Sequence, residues 1–335
     1  MSQARKANAE VPPSAALRLR LPASSANLGS AFDAAAVALD FYLEIEAAPA
    51  RDFSIVATGR DPERCARLED HLILGIYRNL LETNQRPVVP LAIRMNNEIP
   101  LGKGCGSSAA GRLAAIALAV HFGCLEWSHD RILEEASALE GHPDNAAACW
   151  LGGLAVAASE GRNVHVARVA PPEAWRPIVV LPAEPLPTIQ ARAVLPEHYS
   201  RTDVVANLQS AALLGLSFAG ARGDLLRIAM QDRIHQPYRA PICPLLPRLL
   251  PLAGKHGILG AALSGAGPSV LMIVDAEESL PDATAAICRA LGEETRAELK
   301  VCRFASAGAC ESFTAARASA VMAGKSLRTG SFRTP

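Results

Sequence analysis

Between Pro100 and Ala110 the chain reads P-L-G-K-G-C-G-S-S-A-A and then continues as an alanine-rich run. Three glycines at alternate positions, followed by two serines, suit phosphate binding. Glycine lets the backbone approach phosphate oxygens with no Cβ in the way. The first N–H groups of a helix lack partners inside it and point toward the preceding loop. The hydroxyls of Ser107 and Ser108 can touch a phosphate or a metal ion. Two familiar phosphate loops do not fit. In G-x-x-x-x-G-K-[ST] the lysine follows the last glycine, whereas Lys103 lies between Gly102 and Gly104. The dinucleotide fingerprint G-x-G-x-x-G would need glycine at position 107, which is serine, and no acidic residue ends a second strand about 20 residues on. From these residues alone, an anion site and a tight strand-to-helix turn capped by serine both stay open.

A second cluster is E-G-H-P-D-N, Glu140 to Asn145. Glu140 stands near the C-terminal end of a helical segment, where its charge opposes the helix dipole. Stability therefore explains it poorly. Pro143 disfavours helical geometry at His142, which puts Asp144 at a loop-to-helix junction. There it can cap the helix or act on a ligand. His142 reads as structural. Asn27 and Asp33 fit turn chemistry at a strand–helix junction.

The elements that must position these groups alternate along the chain. Strands are expected over 17–23, 42–48 and 90–100, with 152–159 and 165–170 able to pair. The run 107–123 has the composition of a buried helix ended by Gly123, and 129–141 is amphipathic. A Pro-rich stretch, 169–188, holds the expected domain boundary. Helices near 202–219 and 223–235 follow, then strand, glycine turn and strand over 258–276. No fixed-period repeat occurs, and the mixed order points to an α+β protein.

With 335 residues, half of them hydrophobic, the chain has room for two domains. Its 33 basic residues balance 33 acidic ones, and aromatics make up 4%, so neither nucleic acid nor an anionic membrane is expected as a partner. The eight cysteines form no C-x-x-C pair, and no segment resembles a secretory signal or a bilayer span. A cytoplasmic location fits. The first residues and the basic tail are expected to be weakly ordered.

Four segments in order resemble the GHMP kinase superfamily and, within it, the homoserine kinase family. Pro22 to Asp33 matches P-A-[ST]-[ST]-A-N-L-G-x-G-F-D except at Ala31, and Pro100 to Ala110 matches P-x-G-x-G-[LM]-G-S-S-[AG]-[AS] except at Cys105. E-G-H-P-D-N keeps the E-G and D-N ends of the middle motif with two residues between them, and Ser264 to Ser269 matches S-G-[SA]-G-P-[TS]. Segments 191–203 and 236–241 resemble those that carry two carboxylate-binding arginines.

The resemblance implies a two-domain GHMP kinase fold of class α+β. A ribosomal-protein-S5-like α+β domain would span 15–172 and a ferredoxin-like domain 173–314. A disordered N-terminus, 1–14, and a flexible basic tail, 315–335, would flank them. It implies ATP-dependent phosphorylation of L-homoserine in threonine biosynthesis, with Mg²⁺ and with room for a homodimer. ATP would be held by Pro100, Leu101, Gly102, Lys103, Gly104, Cys105, Gly106, Ser107, Ser108, Ala109 and Ala110. Mg²⁺ would be held by Ser108 and Glu140. Asn27, Asp144 and Asn145 would lie at the acceptor hydroxyl, with the existence of a true base left open. Asp33 would take the ammonium group, Arg192 and Arg239 the carboxylate, and Ser264 and Gly265 would complete the substrate site. Another GHMP kinase with a sugar or mevalonate-type acceptor, or an inactive homologue acting as a sensor, are the alternatives. Ala31 could obstruct a positive φ angle, and Cys105 should act as a small apolar side chain.

Overall fold

The computed structural model describes residues 16–292 and 296–318. The expected disordered segment 1–14 and the tail beyond 318 lie outside these residues.

The first sheet contains β1 (Leu17–Asn27), β2 (Ala31–Pro49), β3 (Ser54–Gly59), β4 (Leu91–Asn97), β5 (Leu154–Glu160) and β6 (Asn163–Val169). Its order is β3-β4-β2-β5-β6, with β1 paired to β2 and only β3–β4 parallel. Alternation builds β1: Leu17, Leu19 and Leu21 are buried, while Arg18 and Arg20 face outward and pair across the strands with Glu46 and Glu44. The helices of this half are α1 (Pro62–Ala66), α2 (Leu72–Thr83), α3 (Ser107–Phe122), α4 (His129–Glu140) and α5 (Asp144–Leu151). Small side chains let α3 lie deep, and it is buried from Ala109 to Phe122 save at Arg112.

The chain leaves the first sheet at Val169 and enters the second at Arg176. That sheet joins β7 (Arg176–Pro182), β8 (Ile258–Leu263), β9 (Val270–Val274) and β10 (Ala297–Val301) in the order β10-β7-β9-β8, all antiparallel. Between β7 and β8 come α6 (Thr188–Ala193), α7 (Arg201–Ala219), α8 (Gly223–Ala229), α9 (Gln236–Arg239) and α10 (Leu245–Leu249), and α11 (Leu280–Leu291) joins β9 to β10. The strand order 4-1-3-2 with helical connections is the ferredoxin-like arrangement. After β10 the chain returns to the first sheet. Phe304 bridges Leu39, Ala305 N donates to Ala38 O, and Phe313 packs on Trp150. Helical backbone over 309–318 continues past 315, where a flexible tail was expected to begin.

Three local expectations change. Asn27 and Asp33 do not mark a strand–helix junction, because β2 already begins at Ala31. The run Ala35–Leu39 is almost completely buried, and such a run loses the period-two signal of a strand. The expected helix 223–235 stops at Ala229. Asp232 then accepts from the N–H groups of Ile234, His235 and Gln236, which forms a separate turn before α9.

Candidate active site

Gly102, Gly104 and Gly106 have φ values of 68°, 76° and 71°. Left-handed residues at alternate positions turn successive N–H groups toward one side, making an anion-binding concavity. Gly106 is the N-cap of α3 and offers no side-chain cap, contrary to the serine-capped alternative. Ser107 and Ser108 occupy the first helical turn. The loop is clamped from the other half of the chain. Ser264, fully buried, donates its hydroxyl hydrogen bond to Gly104 O at 2.7 Å and lies 2.8 Å from Ser25 Oγ. Ser264 therefore holds the loop and does not face the cavity, whereas Gly265 does. Cys105 is buried, and burial pushes its thiol up to about 12, in keeping with a small apolar role.

A cavity of about 180 Å³ opens beside this loop, lined among others by Asn27, Asp33, Ser108, Glu140, Asp144 and Arg192. The turn from β1 to β2 carries positive φ at Asn27, Leu28 and Gly29, and again at Asp33. Ala31 is not among these positions, so its Cβ opposes no positive φ. Gly29 is the position that needs glycine, since a Cβ there would lie 1.9 Å from Met230 O. The amide of Asn27 ties the turn together, with Nδ2 donating to Gly265 O and Oδ1 accepting from Asp33 N.

Asp33 accepts from both terminal nitrogens of Arg192. Burial opposes the charge on Arg192, but the Asp33 hydrogen bonds and charge raise its pKa overall. Arg239 is fully buried: Nε donates to Ala191 O at 2.9 Å, and Nη1 lies 3.1 Å from His235 Nδ1. Burial, then the neighbouring Arg192 charge, lowers its pKa. Both guanidinium carbons lie within 6 Å of the Phe32 ring centre, and Phe32 stacks on His235. Phe32 and His235 were not singled out from the sequence, although Phe32 sits inside the first motif.

Across the cavity, Asp144 is buried at the first turn of α5 and accepts from His142 Nδ1 at 2.5 Å and from Asn145 N at 2.6 Å. Asn145 Oδ1 accepts from Ser24 Oγ. His142, expected to be merely structural, lines the cavity. Burial disfavours its charged form, but the Asp144 hydrogen bond and charge outweigh this and leave its pKa above the ordinary value. Asp33, His142 and Asp144 come close enough to share an ion. Asp33 is already paired with Arg192, which a metal would have to displace, and His142 is hydrogen-bonded to Asp144, a contact a metal between them would have to break. Ser108 and Glu140 also meet, linked through Arg112.

A second cavity, about 410 Å³, shares Gly102, Ser107 and Ser108 with the first and runs outward past Leu72, Met95 and Leu101. The phosphate loop thus stands between two cavities, and the second mixes these apolar side chains with the charged Arg64, Arg67, Glu69 and Asp70. A larger cleft of about 820 Å³, near Arg227, Gln236 and Leu250, contains none of the predicted site residues.

The family described as GHMP kinases N terminal domain matches residues 71–153, and GHMP kinases C terminal matches 211–293. A homoserine kinase of Solibacter usitatus is 43% identical over 258 residues, covering 77% of this chain and 84% of that protein. One from Deinococcus radiodurans is 37% identical, covering 78% and 86%. In fold, the crystal structure of homoserine kinase from Cytophaga hutchinsonii superposes with a TM-score of 0.76 at 22% identity, over 92% of this chain and 98% of that one. The chain belongs to the GHMP kinase superfamily and, within it, to the homoserine kinase family.

Proposed function

We propose that the chain transfers the γ-phosphoryl group of ATP to the side-chain hydroxyl of L-homoserine, giving O-phospho-L-homoserine and ADP. The observation that carries this reading is one cavity faced by both a phosphate-binding loop and the opposite charges of Asp33 and the two arginines. An amino acid head group offers the complementary ammonium and carboxylate. The curated relatives named homoserine kinase support the same substrate. The second cavity beyond the loop, with Leu72, Met95 and Leu101 in its lining, suits the base of the nucleotide.

Phosphoryl transfer needs positioning and charge neutralisation more than covalent chemistry. The N–H groups of the glycine loop and the first turn of α3 bind the triphosphate. Ser108 and Glu140 fit Mg²⁺, because both are oxygen donors and a cationic nitrogen already sits between them. When bound, Mg²⁺ neutralises charge on the phosphate oxygens. Arg192 and Arg239 orient the substrate carboxylate, and Asp33 the ammonium group. Asn27 holds the turn that presents Asp33. Asp144, held by His142, and the Asn145 amide face the acceptor hydroxyl. None of the eight cysteines is in a disulfide, which supports a reducing, cytoplasmic setting.

Measuring ADP release with no acceptor, with homoserine, and with mevalonate or galactose tests the reading. Strong stimulation by homoserine alone is expected. Stimulation by a sugar or mevalonate instead would replace the substrate, and no ATP turnover with any acceptor would point to a non-catalytic homologue.

A further inference from the structure

Arg112 lies on α3 four residues after Ser108, one helical turn on, with its side chain 21% exposed. It follows the glycine-rich stretch by two residues, yet nothing in the reaction described above uses it. Its Nη1 donates to Ser108 Oγ and also to Glu140 Oε1, the latter at 2.5 Å. One nitrogen therefore bridges the hydroxyl and the carboxylate assigned above to Mg²⁺. The nearest alternative cation, His142 Nε2, is 3.9 Å from Glu140 Oε2, beyond hydrogen-bond range.

Mg²⁺ binds oxygen ligands at 2.0–2.1 Å and demands near-octahedral geometry. A guanidinium nitrogen hydrogen-bonded to both oxygens fills the space between them and engages their lone pairs. The two cations exclude each other there, by volume and by charge. Arginine is also always charged, so the barrier does not vanish with pH. The side chain is long and flexible, and the contact with Ser108 spans one turn of its own helix. Arg112 can thus withdraw without moving α3. After withdrawing it remains beside the phosphate loop, where a triphosphate gives it new anionic partners.

We propose that Arg112 is a tethered counter-cation of the metal site. It holds Ser108 and Glu140 together and competes with a free divalent cation. It yields when the metal arrives with nucleotide phosphates, which receive the displaced guanidinium. The device makes metal binding depend on nucleotide. The proposal rests on the assignment of Ser108 and Glu140 to the metal.

The test uses Mn²⁺ as a paramagnetic stand-in, titrated by electron paramagnetic resonance into the full chain with and without a non-hydrolysable ATP analogue. Without nucleotide, Arg112→Met should bind Mn²⁺ at least about tenfold tighter than wild type, as removal of a charge a few ångströms away requires. Arg112→Lys, which keeps a cation, should stay close to wild type. With the analogue present, the gap between Arg112→Met and wild type should narrow. The melting temperature of Arg112→Met should fall in EDTA, where Glu140 loses the cation hydrogen-bonded to it, and recover on adding Mn²⁺. Equal or weaker Mn²⁺ binding by Arg112→Met without nucleotide overturns the proposal. Glu140→Gln separates the two layers of the argument. If Glu140→Gln leaves Mn²⁺–nucleotide binding intact, the metal assignment fails and the counter-cation role with it. If Glu140→Gln weakens that binding while Arg112→Met binds like wild type, only the role of Arg112 fails.

Discussion

Arg192 places both terminal nitrogens on the carboxylate of Asp33, at 2.8 and 3.1 Å. In the proposed reaction these residues serve opposite ends of the same substrate. Without substrate each is the other's partner. A zwitterion entering between them offers an ammonium group to Asp33 and a carboxylate to Arg192, so the exchange conserves charge on both sides. A ligand with only one of the two charges would leave the other residue unpaired.

Asp33→Asn should therefore act on binding and not on folding. Asp33 has φ 55°, a conformation asparagine tolerates, so the backbone keeps its turn. The ion pair is partly exposed and contributes only about 0–1 kcal/mol to stability. The expected result is a homoserine KM raised at least about tenfold, as loss of a charge-assisted contact implies, with the melting temperature nearly unchanged. An unaltered KM would show that Asp33 does not read the ammonium group.

The two arginines should separate. Arg192→Ala should cut the preference for homoserine over homoserinol, which lacks the carboxylate, by at least about 30-fold, corresponding to the lower end of the 2–5 kcal/mol for a broken, buried charge pair. Arg239→Ala should reduce the same preference, but it should also destabilise the protein. Arg239 is fully buried, and its removal leaves Ala191 O and His235 Nδ1 unpaired, at about 1–3 kcal/mol for each buried group. Urea unfolding alongside the kinetics distinguishes them. Full retention of the preference in both variants would detach the arginines from the carboxylate.

Gly104 and Gly102 test the loop differently. A Cβ on Gly104 would lie 2.1 Å from Ser264 O, so even Gly104→Ala should disturb the contact between the two halves of the chain and lower the melting temperature. The simple view, that a side chain there would block phosphate before it disturbs packing, does not hold. At Gly102 a Cβ meets only Pro185 Cβ, at 3.2 Å. Gly102→Ala should cost about 1–2 kcal/mol for its left-handed backbone and still fold, while weakening ATP binding measured by calorimetry. Wild-type ATP affinity in that variant would move the phosphates elsewhere.

His235 should make the acceptor site acid-sensitive. Burial lowers its pKa to about 4, while Asp232 opposes and Arg239 adds to the drop. Gly29 O takes the Nε2 proton, so Nδ1 accepts from Arg239. Protonating Nδ1 would oppose two cations. A base with a depressed folded-state pKa contributes stability above its unfolded value, near 6.5, and loses it as pH falls toward about 4. Unfolding free energy should decline over that window, together with homoserine affinity. His235→Gln can keep a donor and an acceptor without titrating, and should flatten the stability decline. An equal acid limb in both proteins would assign the loss to other groups.

Much of this site was legible in the residues themselves. Glycines at alternate positions, serines opening an alanine-rich helix and Asp144 after Pro143 carry their meaning within a few residues, because φ preference, helix capping and proline sterics are local. The sheet signals failed where burial is two-sided, as along Ala35–Leu39, since a strand covered on both faces no longer alternates.

Partner choice was decided by tertiary structure. Asp33 and Arg192 lie 159 positions apart, Ser264 and Gly104 160, and Arg112 and Glu140 28. All of these residues except Arg112 could be named from a motif or its neighbourhood, but not the contact each makes. The sequence by itself determined the kinds of group present and their local backbone, and its resemblance to a kinase family pointed to phosphate and amino acid chemistry. Only the packing of the C-terminal half of the chain against the first decided that Ser264 braces the loop and that Asp33 closes on Arg192, and only the packing of α3 on α4 that Arg112 stands between the two metal-site oxygens. Charges and hydrogen bonds act over a few ångströms, and chain separation says nothing about which groups fall within that range until the elements are packed on one another.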